Sequence, residues 1–277
     1  MGCSVTQGIG CYDTSTFDYV PGKPSYEYKN IFDINKKHLD RFLEYSWGSV
    51  LQKKLKYDHH FNMGVAGSST SGQVKLFYEN LTFLKSLTDY DVLIVWLLTT
   101  PTRFSFYTSG KNLDIIPGND YTFNYNNSNQ WAKKIADSKI DKAYSLLIDD
   151  LTIDTLLEQK FYKDIIKETS ENLGFKFLYN SSLSGAGNFF MNKFKKMFNE
   201  TINLSTLSNE SLIPCYKKNP ELYSLLKCHH PNEKGYEVIG KRFFDLINLY
   251  DPNLVNDKTP ELYTQERVSG YKIYKLI

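Results

Sequence analysis

The sequence predicts an α/β protein in which helices pack on a mostly parallel β-sheet. Two apolar segments, DVLIVWLL at residues 91–98 and FKFLY at residues 175–179, are bounded by turn signals and predict strands. A continuous apolar run such as the first is typical of a strand buried on both faces. Segments with helical spacing of apolar residues alternate with the strands, and this order favours a layered α/β fold. The 277 residues suffice for one large α/β domain or two small ones.

Two helices and one short strand are predicted ahead of residues 91–98. The first helix begins near Asn35, and its apolar face is formed by Leu39, Phe42, Leu43, Trp47, Val50 and Leu51. A strand follows over residues 59–63. The turn GVAGSSTSG then leads into the second helix, which Ser69 or Ser71 is expected to cap. The buried stripe of that helix is formed by Val74, Phe77, Leu81 and Leu84.

The second half of the chain predicts further helices around the strand at residues 175–179. Residues 131–173 are mostly helical in pattern, and Gly174 is a suitable residue to end the last of these helices. A final helix is predicted over residues 236–250. Residues 251–277 form a C-terminal tail that ends in the strand-like YKIYKLI. Residues 184–215, with a glycine-rich loop and a Lys/Phe/Met helix, are a candidate lid.

Composition and charge argue against several classes of partner. The net charge is +2, so the basic footprint of a nucleic-acid-binding protein is missing. We expect no membrane partner, because no run of 18 apolar residues is present, and no secretory signal pattern is visible. Synthesis in the cytoplasm follows as an expectation, compatible with a later place in a virion. We interpret four cysteines as free thiols, since their spacing fits no zinc motif or disulfide framework: Cys3, Cys11, Cys215 and Cys228.

Ser4 is the first candidate for chemistry. It lies in MGCSVTQG, on a predicted tight turn with a glycine on either side. A serine hydroxyl becomes a useful nucleophile only beside a base. The alternative is a terminal cap or a frayed end of the chain.

The stretch NMGVAGSST at residues 62–70 is the second candidate. Gly64 and Gly67 permit a close approach of the backbone, and the N–H of Gly67 would point at a developing oxyanion. An ordinary strand-to-helix turn is the alternative. A phosphate-binding loop is excluded, since no Gly-Lys-Ser/Thr follows.

CHHPNEKGY at residues 228–236 is the third candidate. It places His230 on a rigid loop before the last helix, and imidazole is well suited to accept and return a proton near neutral pH. A single histidine is nevertheless more often structural. A metal site is a further interpretation that the spacing does not favour, and it would use His59, His60, His229 and His230.

The three stretches, in this order, resemble the SGNH (GDSL-type) hydrolases. The resemblance covers most of residues 2–250, with residues 104–215 matching loosely as an elaboration. It implies a three-layer α/β/α flavodoxin-like fold and ester hydrolysis through an acyl-enzyme, without a cofactor. By position, Ser4 would be the nucleophile and His230 the base. The N–H groups of Ser4 and Gly67 would hold the oxyanion, and Asn62 would shape the second loop.

The sequence departs from the family pattern at three sites. Cys3 replaces the family's aspartate before the serine. The segment LTTPTR replaces Gly-x-Asn-Asp, so an oxyanion donor would have to come from Thr99 or Thr100, with charge from Arg103. Lys227 stands where the family has the aspartate that orients the histidine. Loss of such an aspartate costs roughly four orders of magnitude in rate.

The segment before the serine turn is a further departure. The family has its first strand there, whereas only Met1 and two other residues precede Ser4 in this sequence. We expect that the chain is an N-terminally truncated reading of a longer protein. The alternative is that YKIYKLI at residues 271–277 takes the place of that strand in the sheet.

The resemblance therefore predicts a serine ester hydrolase that acts on an O-acyl ester, such as an acyl group on a carbohydrate. Trp47, Trp131 and the many tyrosines suit stacking on sugars, although burial in a core is the commoner fate of such residues. The alternative is a catalytically impaired protein of the same fold that binds glycans or serves as a structural module of a virion. The abundance of Asn, Lys, Tyr, Phe and Ile is typical of AT-rich genomes, among them viral ones.

Overall fold

A computed structural model describes an α/β protein. It covers the following residues: 1–2, 4–20, 34, 37–65, 68–98, 104–108, 111–115, 152–180, 212–214, 216, 218–224, 230–269 and 272–275.

The helices of this part are α1 (Ser4–Gln7), α2 (Leu39–Glu44), α3 (Trp47–Leu55), α4 (Thr70–Glu79), α5 (Leu81–Lys85), α6 (Thr152–Asn172) and α7 (Glu233–Tyr250). The strands are β1 (His59–Asn62), β2 (Leu93–Leu97), β3 (Phe104–Thr108), β4 (Lys111–Ile115), β5 (Lys176–Asn180), β6 (Thr264–Ser269) and β7 (Lys272–Lys275). Short 3₁₀ turns lie at Thr14–Thr16, Pro220–Leu222 and Pro252–Leu254.

Two parallel strand pairs form the frame of the sheet. β1 pairs with β6, with His59 opposite Thr264, and β2 pairs with β5, with Leu93 opposite Lys176. β7 pairs antiparallel with β6. A separate antiparallel hairpin is formed by β3 and β4.

Met1 and Gly2 join the two parallel pairs. The amino group of Met1 donates to the carbonyl of Val95 over 2.8 Å, and Leu97 N–H donates to Met1 O over 3.1 Å. On the other side, Val65 N–H donates to Gly2 O over 3.0 Å, in a parallel bridge. The first residues of the chain therefore lie between the end of β1 and the end of β2.

Alternate residues of β2 belong to two different cores. Leu97 packs with Trp47 of α3 and Phe243 of α7, whereas Trp96 packs with Phe77 of α4 and Ile166 of α6. Since side chains alternate across a strand, these cores lie on opposite faces of the sheet. Among the described helices, none is long and apolar enough to cross a membrane.

Several predicted elements are confirmed. Strands occur as β1, β2 and β5 where the sequence predicted them. Ser69 caps α4, with its Oγ accepting from Gly72 N–H over 3.0 Å. α6 ends at Asn172, immediately before the turn that contains Gly174.

Other predictions are corrected by the structure. The single helix expected from Asn35 to Leu51 is divided into α2 and α3, because Ser46 accepts from Ser49 N–H and starts a new helix. Residues 272–275 of YKIYKLI form β7 beside β6, and so do not take the place of the family's first strand. β3, β4 and β6 were not predicted, and α7 begins three residues earlier than expected, at Glu233.

Candidate active site

Ser4 is the first residue of α1, a single helical turn that begins two residues after Gly2. The structure describes the backbone of Ser4, and its side chain lies outside the described part. Asn62, which is 3 % exposed, ties α1 to the loop after β1. Its Nδ2 donates to Thr6 O over 2.8 Å, and its Oδ1 accepts from Gly64 N–H over 2.8 Å. The serine turn and the second motif are thus held together by one side chain.

Gly64 allows α1 to approach the second motif closely. A Cβ at this position would lie 2.4 Å from Gln7 N and 2.7 Å from Thr6 C. Atoms cannot come so close, so any side chain here would push α1 away from β1. The close backbone approach that the sequence predicted at Gly64 is therefore confirmed.

A chain of hydrogen bonds between buried side chains also supports the loop after β1. It begins at Trp96 of β2. Trp96 Nε1 donates to Gln73 Oε1 over 2.5 Å, and Gln73 Nε2 donates to Ser68 Oγ over 3.0 Å. Ser68 Oγ in turn donates to Gly2 O over 3.4 Å. Buried groups bonded in this way fix the loop relative to the sheet.

The His230 loop is fixed by main-chain bonds to the segment before it. His230 O accepts from Ser224 N–H over 2.9 Å, and Asn232 N–H donates to Leu222 O over 2.9 Å. Asn232 also caps α7, since its Oδ1 accepts from Gly235 N–H over 3.0 Å. The imidazole of His230 is half-buried, and its Nδ1 atom is fully buried.

The structure brings the His230 loop against the segment that follows α1. A Cβ on Gly10 would lie 2.1 Å from Pro231 O and 3.1 Å from the Cβ of His230, and Gly10 has a φ of +124°. Tyr236, at the start of α7, donates from its hydroxyl to Ile9 O over 2.7 Å. The first and third motifs therefore meet through residues 9–10 and 230–236.

His59 and His60 do not join this site. They are consecutive residues of β1, so their side chains point to opposite faces of the sheet. His60 Nδ1 lies 3.2 Å from Ser49 Oγ, and burial lowers the pKa of His60 to about 3, so this imidazole is neutral at physiological pH. Within the described ranges, no group of three or more His, Cys, Asp or Glu is placed to hold a metal ion.

The remaining site predictions fall partly outside the described part of the chain. Gly67, Thr99, Thr100 and Arg103 lie there, as do Lys227, His229 and Trp131. Trp47 is described, and the idea that it stacks on sugars is wrong. It is 2 % exposed and stacks on Phe243 of α7 at a centroid distance of 4.4 Å.

Three residues whose hydrogen bonds fix the segments of the candidate site were not predicted from the sequence. Gln73 and Tyr236 were not singled out, because polar residues within helices carry no signal for their distant partners. Asn232 was noted only as part of the His-Pro-Asn stretch. Its position three residues before Gly235, at the start of an apolar helical pattern, is the usual signal for an N-cap and would have corrected the start of α7.

A scan against models of protein families, a search of curated proteins and a search of solved structures each found no match to this chain.

Proposed function

We propose that this chain is a serine ester hydrolase of the SGNH type that acts on an O-acyl ester, with acyl groups on carbohydrates as the substrate class. The observation that carries the proposal is the convergence of the three sequence motifs. Asn62 of the second motif bonds to α1, which starts at Ser4. His230 and Pro231 of the third motif contact Gly10 just after α1.

The arrangement of strands supports the same proposal. β1, the Met1–Gly2 segment, β2 and β5 follow one another across the sheet, all in parallel. Helices α3 and α7 belong to one core and α4 and α6 to the other. We therefore include a three-layer flavodoxin-like fold in the proposal, since this strand order and this layering support it. In such folds ligands bind where strands end, and Ser4 and the loop after β1 follow such ends.

The proposed mechanism uses a nucleophile, a base and a set of groups that stabilise the oxyanion. Ser4 attacks the acyl carbonyl while His230 accepts the hydroxyl proton. The N–H groups of Ser4 and Gly67, with a hydroxyl from Thr99 or Thr100, stabilise the oxyanion, and Arg103 adds positive charge. His230 then protonates the leaving alcohol. Water takes the place of the alcohol and attacks the acyl-enzyme while His230 accepts its proton, and His230 returns that proton to the Ser4 oxygen as the carboxylic acid leaves.

Hydrolysis of 4-nitrophenyl acetate and of a panel of acetylated monosaccharides tests this proposal. Ser4→Ala and His230→Ala should each lower kcat/KM by at least a hundredfold. Two matched controls, Ser15→Ala and His59→Ala, change an exposed serine and an exposed histidine outside the site and should retain the wild-type rate. Equal activity in all five proteins would overturn the proposal.

One sequence observation favours a second candidate function. Lys227 stands where an acid would orient His230, which favours a protein that retains the fold and binds glycans, or is a structural module of a virion, without hydrolysing an ester. The folded wild type and the Ser4→Ala variant would then bind the same members of a glycan array equally well. Neither would release acetate from any member of the array.

A further inference from the structure

The carbonyl oxygen of Gly2 connects the two segments that supply the nucleophile and an oxyanion donor in the proposed hydrolase. Val65 N–H donates to this oxygen over 3.0 Å, and Ser68 Oγ donates to it over 3.4 Å. Gly2 lies two residues before Ser4, the proposed nucleophile. Val65 and Ser68 stand on either side of Gly67, the proposed oxyanion donor, in the sequence. One main-chain oxygen therefore holds both ends of the segment that contains Gly67.

Residues 65–68, the oxyanion segment, have ends that are also bonded to each other. Ser68 N–H donates to Val65 O over 3.2 Å, so the two ends lie side by side. The bond from Val65 N–H to Gly2 O fixes one end, and the bond from the Ser68 hydroxyl fixes the other. The position of the oxyanion segment relative to Ser4 therefore depends on where the Ser68 hydroxyl donates.

The direction of the Ser68 hydroxyl is set by Trp96 through Gln73. An indole N–H can only donate, so Gln73 Oε1 accepts from Trp96 Nε1 over 2.5 Å. The amide of Gln73 is therefore fixed with its Nε2 towards Ser68 Oγ, 3.0 Å away. An amide nitrogen cannot accept, so the hydroxyl proton of Ser68 cannot be donated back to that nitrogen. That proton is donated to Gly2 O.

The three side chains of this series are buried. Trp96, Gln73 and Ser68 are 0 %, 1 % and 2 % exposed. A buried hydroxyl takes its orientation from the groups around it, and hydrogen bonds in such surroundings are strengthened by one another. The position of Gln73 requires an acceptor and a donor on one planar group, which a glutamine provides. An apolar side chain would provide neither, and a carboxylate would provide only acceptors.

We propose that Gln73 is a positioning residue of the hydrolase. By accepting from Trp96, it directs its own N–H to Ser68 and so turns the Ser68 hydroxyl towards Gly2 O. That hydroxyl then holds the oxyanion segment against the segment of the nucleophile. The inference rests on the proposed function, and Gln73 acts in it without touching the substrate.

The rate at which a fluorophosphonate labels Ser4, read by intact mass over time, measures the effect of Gln73. Attack of the serine on phosphorus places an oxygen where the oxyanion donors act, so the rate depends on the position of the oxyanion segment. A displacement of about 1 Å in such a site costs about a hundredfold in rate. Gln73→Met keeps the length of the side chain and removes the amide. We expect this variant to label about a hundredfold more slowly than the wild type.

A double-mutant cycle tests whether Gln73 acts through Ser68. Ser68→Ala should also label slowly, and the double variant should label no more slowly than the slower single variant. Gln52→Met is the matched control, because Gln52 is also buried and donates to Asp58 O over 2.9 Å and to Thr264 O over 3.0 Å. This control should lose stability in urea unfolding as Gln73→Met does, and it should label at the wild-type rate.

Gln73→Glu provides a second variant of the same size, for use also if Gln73→Met does not fold. A protonated carboxyl group can accept from Trp96 and donate to Ser68, whereas a carboxylate can only accept. The labelling rate of Gln73→Glu relative to the wild type should therefore fall as the pH rises from 5 to 9, and a constant ratio would overturn the inference.

The outcomes separate this inference from the proposed function. A wild type that labels, with an equal rate in Gln73→Met or an equal loss of rate in Gln52→Met, would overturn the inference and leave the proposed function in place. Losses that multiply in the double variant would show that Gln73 does not act through Ser68, and would overturn the inference as well. A folded wild type that gains no label would overturn the proposed function and the inference with it.

Discussion

The side-chain amide of Asn62 donates a hydrogen bond to the main-chain oxygen of Thr6 over 2.8 Å. The same side chain accepts from Gly64 N–H, so both ends of the amide are used inside a buried environment. The bond connects the turn that starts at Ser4 to the loop that leads towards Gly67. In the proposed hydrolase, these are the segments that supply the nucleophile and an oxyanion donor.

Replacement of Asn62 by Ala should therefore affect stability and activity together. Two buried main-chain groups lose their partner, which we expect to cost about 2 kcal/mol in the free energy of unfolding and to lower kcat/KM at least tenfold. Urea unfolding and ester hydrolysis measure the two effects. Asn80→Ala is the matched control. Asn80 Nδ2 donates to Leu76 O within the α4–α5 segment, so this variant should lose stability without the loss of rate. Wild-type activity in Asn62→Ala would contradict this role.

Gly10→Ala tests the contact between the first and third motifs. The added Cβ would lie 2.1 Å from Pro231 O and should displace the His230 loop. Gly174→Ala is the control, because Gly174 also has a positive φ, of +78°, but no atom lies within 4 Å of its added Cβ. Both variants should lose about 1 kcal/mol of stability from backbone strain. Only Gly10→Ala is expected to lose ester hydrolysis, and equal rates in the two variants would count against the contact.

Tyr236→Phe removes the hydroxyl that bonds to Ile9 O and retains the buried ring. We expect a loss of about 1.5 kcal/mol in the free energy of unfolding, because a buried carbonyl is left without its donor. Tyr263→Phe removes an exposed hydroxyl 3.4 Å from Lys53 O and should change stability by less than about 0.5 kcal/mol. Thermal and urea unfolding of the two variants gives the comparison, and equal losses would show that the Ile9 contact contributes nothing specific.

The half-buried His60 makes stability depend on pH. Burial lowers its pKa from 6.5 to about 3, so below pH 6.5 the unfolded chain binds a proton that the folded chain does not. Stability from this group is complete above pH 6.5 and falls as the pH decreases towards 3, by on the order of 3 kcal/mol between pH 6.5 and 4. His60→Gln should flatten this part of the profile in urea unfolding, whereas His59→Gln, at an exposed position, should not. Parallel profiles for His60→Gln and the wild type would contradict the assignment.

The elements that could be predicted from sequence are those whose signal is local. β2 and β5 coincide with the apolar runs at residues 91–98 and 175–179, because central parallel strands are buried on both faces. The cap at Ser69 was predicted for a similar reason, since a hydroxyl before an apolar helical pattern is a local signal.

The elements that were missed depend on distant partners or on an overlooked local signal. β6 reads TQERVS, with one apolar residue, and pairs with β1 from the far end of the chain. Nothing in those letters indicates a strand. The hairpin of β3 and β4 did have a signal, because the dipeptide Ser-Gly at positions 109–110 of the sequence, between FSFYT and KNLDI, is of a kind that predicts a turn.

The distinction between local signals and distant partners applies to the candidate site as well. The motifs around Ser4, Asn62 and His230 were visible in the sequence, since each is a short run of characteristic residues. The contacts that bring them together, such as Gly10 against Pro231, join residues far apart in the chain and follow only from the tertiary structure.

Labelling with a fluorophosphonate, read by intact mass, is the most direct test of the central claim that Ser4 and His230 act as a nucleophile and its base. The reagent reports an activated serine without requiring the natural substrate. The wild type is expected to gain one label, the Ser15→Ala control is expected to do the same, and Ser4→Ala and His230→Ala are expected to gain none. A folded wild type that gains no label, or a Ser4→Ala variant that labels like the wild type, would contradict the claim.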